Sequence, residues 1–222
     1  MNISLQNIGK RYNYEWIFRK VDHEFDASNN YVILGSNGSG KSTLIQLIAG
    51  NLTASEGDVS YKKGDDHSAI EHDDLYRYLS FSAPYLDLYE EFTLHEAVEF
   101  HQNFKPFFQG LETKDVISFT GLEKEKNKQL KNYSSGMKQR VRLALAILSD
   151  TPLLLLDEPA SNLDKKGIDW YQQLVNDHSK NRLIIVASNQ QEHEYPFCNL
   201  KLQLEDFKPL GSARVIETDK PL

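Results

Sequence analysis

Three short runs of uninterrupted apolar residues punctuate the chain: "YVILG" at 31–35, "PLLLLDEP" at 152–159 and "RLIIVASN" at 182–189. A strand with one face in water alternates apolar and polar positions. These runs do not alternate, so they predict strands buried on both faces, as in a parallel sheet covered by helices. Between them the period lengthens. Residues 42–49 set Leu44, Leu47 and Ile48 on one helical face, and residues 134–149 set Val141, Leu145 and Leu148 at helical spacing. Strand and helix periods taken in turn predict an α/β fold. From about Pro84 to Ser149 the pattern becomes helical and aromatic ("EEFTLHEAVEFHQNFKPFF"), which predicts a helical insertion into the α/β core. Residues 61–76, "YKKGDDHSAIEHDDLY", are charged and turn-rich and predict a solvated surface loop with His67 and His72 exposed. The segment from Leu200 to Leu222 shows a short alternation, "LKLQLEDF", and predicts an edge strand and a tail without a functional motif.

Length narrows this picture to one domain of 222 residues, with 1–83 and 150–222 as core and 84–149 as inserted helical subdomain. A net charge of −7 argues against a general binder of nucleic acid or anionic membrane. The single cysteine, Cys198, allows no intrachain disulfide or ordinary zinc site and reads as a structural thiol. The N-terminus has no basic start followed by an apolar stretch, so no secretory signal is predicted. The longest apolar runs fall far short of the roughly 20 residues that span a bilayer. A cytosolic protein is expected, and any membrane role would come through a partner.

The chemistry concentrates where the first strand ends. Gly35, Gly40, Lys41 and Ser42 fit G-x-x-x-x-G-K-[ST] within "GSNGSGKST", which spans Gly35, Ser36, Asn37, Gly38, Ser39, Gly40, Lys41, Ser42 and Thr43. Glycines let such a loop turn its backbone N–H groups inward, and with the following helix N-terminus these hold phosphate oxygens. Lys41 would reach the β- and γ-phosphates, and the Ser42 hydroxyl would ligate Mg²⁺. Asp157 and Glu158 close the leucine run. The spacing suits Asp157 to hold Mg²⁺ through water and Glu158 to orient and deprotonate an attacking water.

Four motifs in this order resemble the ATP-binding subunits of ABC transporters over nearly the whole chain. "GSNGSGKST" is similar to that family's Walker A and "LLLLDEP" to its Walker B. "YSSGMKQRVRLALAIL" is similar to its signature helix, and "SNLD" at 161–164, ending in Asp164, to its D-loop. The signature positions are Ser134, Ser135, Gly136 and Met137, after Tyr133. Tyr12, 29 residues before Lys41, stands where the family keeps an aromatic that stacks on adenine; packing at a sheet edge is the alternative. The resemblance implies an N-terminal antiparallel β region and a head-to-tail dimer with a second cassette, identical or related. ATP would lie on Walker A of one subunit, with Ser134 and Gly136 of the other covering its γ-phosphate. Ser134 also reads as an N-cap of its own helix. Hydrolysis would open the sandwich, and a transmembrane permease would use that cycle from the cytoplasmic face of the membrane.

The chain also departs from the family pattern. Where the family has a glutamine that touches Mg²⁺ and water, Ala83 or Ser82 stands here. Where it has a histidine on the γ-phosphate, Asn189 stands, which can donate a hydrogen bond but carries no proton or charge at neutral pH. His193, four residues on, reads as a neutral surface residue. Ser135 replaces a glycine and Met137 a glutamine. ATP binding and closure are expected to survive, with hydrolysis through Glu158 at a reduced rate. The alternative readings are a soluble ABC-type ATPase and a slow nucleotide switch not coupled to transport.

Overall fold

The computed structural model describes residues 1–64 and 68–209. Its centre is a five-stranded sheet of β5 (Leu79–Ser82), β6 (Leu153–Asp157), β7 (Leu183–Ser188), β3 (Asn30–Leu34) and β8 (Leu200–Gln203), in that spatial order. Every neighbouring pair in it is parallel. The three apolar runs are β3, β6 and β7, its inner strands. β1 (Asn2–Tyr12), β2 (Glu15–Phe25) and β4 (Glu56–Lys62) form a separate antiparallel sheet in the order β2–β1–β4.

The absence of alternation in the inner strands has a direct cause. Successive side chains of a strand point to opposite faces, and here each face is a core. Ile33, Leu153, Leu155, Leu183, Ile185 and Ala187 face a core shared with the antiparallel sheet and α1 (Lys41–Ile48). Their neighbours Val32, Leu34, Leu154, Leu156, Ile184 and Val186 face a second core. That core is shared with α2 (Leu94–Gln102), α3 (Thr113–Thr120), α4 (Ser135–Leu148) and α5 (Lys165–His178). Leu153 to Leu156 are all fully buried, and each such side chain contributes roughly 1.5–3 kcal/mol relative to exposure. The helical insert thus packs on one sheet face.

Helix ends follow local chemistry. Thr93 and Glu96 form a capping box at the start of α2, Ser134 accepts from Met137 N–H at the start of α4, and Asp164 accepts from Gly167 N–H at the start of α5. Gly121 ends α3 in the left-handed region.

One expectation needs correction. Residues 61–76 are not wholly a solvated loop: Tyr61 is buried in β4 and donates its hydroxyl to Ile48 O, Ile70 N–H pairs with Tyr61 O, and Leu75 is buried in a 3-10 turn. Isolated apolar residues among charges anchored this stretch. His72 is exposed as expected, and His67 lies outside the described residues. The edge strand after Leu200 is β8, and residues 210–222 lie outside the described residues. Cys198 is partly buried, its thiol donates to Tyr31 O at 3.3 Å, and burial pushes its pKa up to about 12.

Candidate functional site

Because the five strands are parallel, their carboxyl ends open on one edge, where open α/β sheets place ligands. The loop after β3 runs from Gly35 into α1. Gly40 sits at φ 105°, and a Cβ there would stand 2.4 Å from Ile17 Cγ2 of β2, so the loop can pass this close only with glycine. A cleft of about 390 Å³ follows, lined by Ile17, Asn37, Gly38, Gly40, Lys41, Ser42, Thr43 and Glu158. Lys41 is buried, and its Nζ donates to Ser36 O at 3.0 Å across the mouth of the loop. One ammonium and a helix N-terminus at a glycine-rich loop make this a place for a phosphate chain.

Asp157 ends β6 beside that cleft and is buried. Burial raises its pKa, the Ser42 and Tyr85 hydroxyls oppose the rise, and the charge of Glu158 adds to it. Oδ2 accepts from Tyr85 Oη at 3.0 Å, whereas Oδ1 is buried with no hydrogen-bond partner among the described residues. An unpartnered carboxylate oxygen beside the Ser42 hydroxyl is a donor set that fits a hard divalent cation such as Mg²⁺. Glu158, the next residue, holds a left-handed φ of 43° and its N–H bonds Ala187 O. A non-glycine residue in that region costs of order 1–3 kcal/mol and occurs preferentially at functional sites.

The remaining predicted residues divide between cleft and surroundings. Asn189 lies just past β7 and lines, with Asn37, Glu158, Ser161 and His193, a second hollow of about 260 Å³ next to the cleft. Ser39 is buried behind the loop. Tyr12 stands half-exposed at the end of β1 with Lys10 Nζ 5.2 Å from its ring centre, and it does not line the cleft. Ser134 and Ser135 are exposed at the start of α4, away from the cleft lining, while Met137 packs partly into the second core. A Cβ on Gly136 would lie 2.8 Å from Asn162 O, which places the α4 start directly on the 161–164 turn. Ala83 and Ser82 are both buried, and Ser82 Oγ has no partner among the described residues.

Several contributors carried no sequence signal. Glu205, in the turn after β8, accepts from Ser36 N–H at 2.6 Å and braces the phosphate loop from behind. Gln139 of α4 is buried and donates to Pro159 O, just past Glu158. Glu194, also buried, accepts from Ala160 N–H and from Ser188 Oγ, and so ties the segment after β6 to the end of β7. Burial, opposed by those two donors and helped by the charges of Glu158 and Asp157, raises its pKa from 4.5 to about 7.

That shift fixes a pH dependence. The folded chain holds the Glu194 proton more tightly than the unfolded chain, so this residue's contribution to stability falls as pH rises from 4.5 to about 7 and stays low above that. Glu194→Gln keeps an acceptor for Ala160 N–H and removes the charge. Its expected effect is a stability gain of up to about 3 kcal/mol at pH 8 and none below pH 4.5. Urea unfolding of both proteins across that range reads the difference directly, and a gain that is the same at acid and alkaline pH would refute the assignment.

Comparison with known proteins agrees with this geometry. The family model described as "ABC transporter" matches residues 18–161. The chain is 27 % identical to the uncharacterized ABC transporter ATP-binding protein YybJ of Bacillus subtilis, over 96 % of this chain and 97 % of the relative. It is 30 % identical to the energy-coupling factor transporter ATP-binding protein EcfA1 of Thermotoga maritima, over 87 % of this chain and 74 % of the relative. Its fold matches the ATP-binding cassette MJ0796, solved as a dimer in a post-hydrolysis state bound to ADP and Pi, with a TM-score of 0.78 at 23 % identity; the match covers 93 % of this chain and 95 % of that one.

Proposed function

The chain belongs to the ABC transporter family, and from that premise we propose that it is an ABC-type ATPase that hydrolyses ATP to ADP and phosphate and that two such cassettes, packed head to tail, power a separate membrane-spanning permease. In this reading the amides of residues 37–43 and the Lys41 ammonium bind the phosphate chain, and Tyr12 stacks on the base from the end of β1. Ser42 and Asp157 hold Mg²⁺, which when bound neutralises charge on the phosphate oxygens. Glu158 takes the proton of the attacking water, and Asn189 donates to the γ-phosphate. Ser134 and the α4 N-terminus, with Ser135, Gly136 and Met137 around them, close over the ATP of the other copy, and Asp164 orders the turn between the two sites. Residues 84–149 act as one helical subdomain on a core of 1–83 and 150–222.

One observation carries the reading. The phosphate cleft is open, and Ser134 and Ser135 are exposed outside it. A second copy is the simplest source of the missing wall, and the similar MJ0796 cassette is described as dimeric. Among the described residues no helix is long and apolar enough to cross a membrane; in this reading the membrane-crossing part is another chain and this one sits at the cytoplasmic face. Ala83 and Asn189, in place of the family's glutamine and histidine, favour a second reading: a soluble ABC-type ATPase or slow switch. Affinity purification of the tagged chain from its own cells in mild detergent separates the two. Near-stoichiometric recovery of a multi-spanning membrane protein is expected; recovery of this chain alone, or of soluble partners alone, would favour the second.

A further inference from the structure

We propose that Tyr85 is a positioning residue of the ATPase site, holding the Asp157 carboxylate from the segment that follows β5, where the usual glutamine is missing. The inference rests on the phosphate-site reading above and extends it to a residue that no motif includes. β5 ends at Ser82, and Leu86 N–H bonds back to Ala83 O at 3.2 Å. That turn buries Ala83, which has no polar side-chain atom, and leaves Ser82 Oγ buried and unpartnered among the described residues. The same turn swings Tyr85 over the carboxyl end of β6. Its ring meets Phe81 edge to face with centroids 6.4 Å apart, and its hydroxyl donates to Asp157 Oδ2 at 3.0 Å. The bond occupies one carboxylate oxygen and leaves Oδ1 without a hydrogen-bond partner among the described residues, the arrangement a carboxylate needs if a second group is to fix its rotation while it serves a cation.

The next residue ties this contact to the rest of the site. Arg142 Nε of α4 donates to Leu86 O at 2.7 Å and Arg142 Nη1 to Gln139 Oε1 at 3.1 Å; Gln139 Nε2 donates to Pro159 O at 3.0 Å. A closed circuit therefore runs from Asp157 through Tyr85, Leu86, Arg142 and Gln139 back to Pro159, two residues past its start. Tyr85 is itself 45 % exposed.

Tyr85→Phe deletes the hydroxyl and keeps the ring against Phe81. The decisive measurement is Mn²⁺ binding in the presence of ADP, followed by the electron paramagnetic resonance signal of free Mn²⁺, because it requires no turnover. The expected result is a loss of about tenfold in Mn²⁺ affinity with ADP affinity in metal-free buffer unchanged and the melting temperature close to that of the parent. Tyr85→Gln, which restores a donor on a flexible stem, is expected to recover part of the loss. Equal Mn²⁺ affinity in the parent chain and in Tyr85→Phe would overturn the proposal. Failure of the parent chain itself to bind Mn²⁺ with ADP would overturn the phosphate-site reading, and this inference with it.

Discussion

Glu158→Gln is expected to lower ATP turnover by about 10²–10⁴-fold, the usual worth of a positioned general base, while ATP affinity stays within about twofold. The substitution keeps the size of the side chain, its left-handed backbone position and the bond of its N–H to Ala187 O. Only the ability to accept a proton disappears. Lys41, Ser42 and the loop amides that line the cleft are untouched. On the proposed mechanism the variant binds ATP, closes and remains closed, so an ATP-dependent dimer should accumulate in size-exclusion chromatography. Phosphate release in single-turnover conditions is the direct check. A variant that hydrolyses ATP at the parent rate would remove Glu158 from the role of base and leave a substrate oxygen to be considered.

Gly136→Val should abolish that dimer. A Cβ at position 136 would already lie 2.8 Å from Asn162 O, a backbone atom in a turn whose own residue 162 holds φ 64°. Neither side yields cheaply, so the start of α4 and the 161–164 turn must part. Overpacking of this kind costs about 1–3 kcal/mol; where closure requires the parent placement of the α4 start and the open cassette does not, that cost lowers the association constant by about 5–150-fold. Introduced together with Glu158→Gln, Gly136→Val is expected to give a monomer at ATP concentrations where Glu158→Gln alone is dimeric, with nucleotide affinity of the monomer preserved. An undiminished dimer would show that α4 does not reach the second site.

Much of this architecture could be read from residue order because the relevant signals are local. "YVILG", "PLLLLDEP" and "RLIIVASN" lack alternation since both their faces are cores, and a strand–glycine–helix pattern fixes a phosphate loop within a few residues. The start of α4 was legible for the same reason, with Ser134 capping its own first turn. What could not be read lies in contacts between distant residues. Nothing in "LKLQLEDF" marks Glu205 as the acceptor for Ser36 N–H, 169 residues earlier. Tyr85 looks like one aromatic among several until a turn brings it to Asp157, 72 residues on. Glu194 resembles an exposed acid beside His193, and only its burial between Ala160 and Ser188 sets it apart. The charged stretch after Tyr61 misled because its composition describes the solvent-facing majority and hides the few side chains that anchor it.

The position of β3 bears on how such a chain is made. This strand carries the phosphate loop and leaves the ribosome well before its two neighbours, β7 and β8, and before Glu205, which braces its loop. Pairing of Val32 with Val186 and of Ile33 with Leu202 spans most of the length of the chain. The apolar strand must therefore wait, unpaired, through most of elongation, which at about 5–20 residues per second lasts of order ten seconds. Contacts of such long range make folding slow once the last strand emerges. Nascent chains halted before residue 200 should thus fail to retain nucleotide although the whole glycine-rich loop is already synthesised, and the exposed "YVIL" edge is the natural place for a chaperone to hold the chain in the interval.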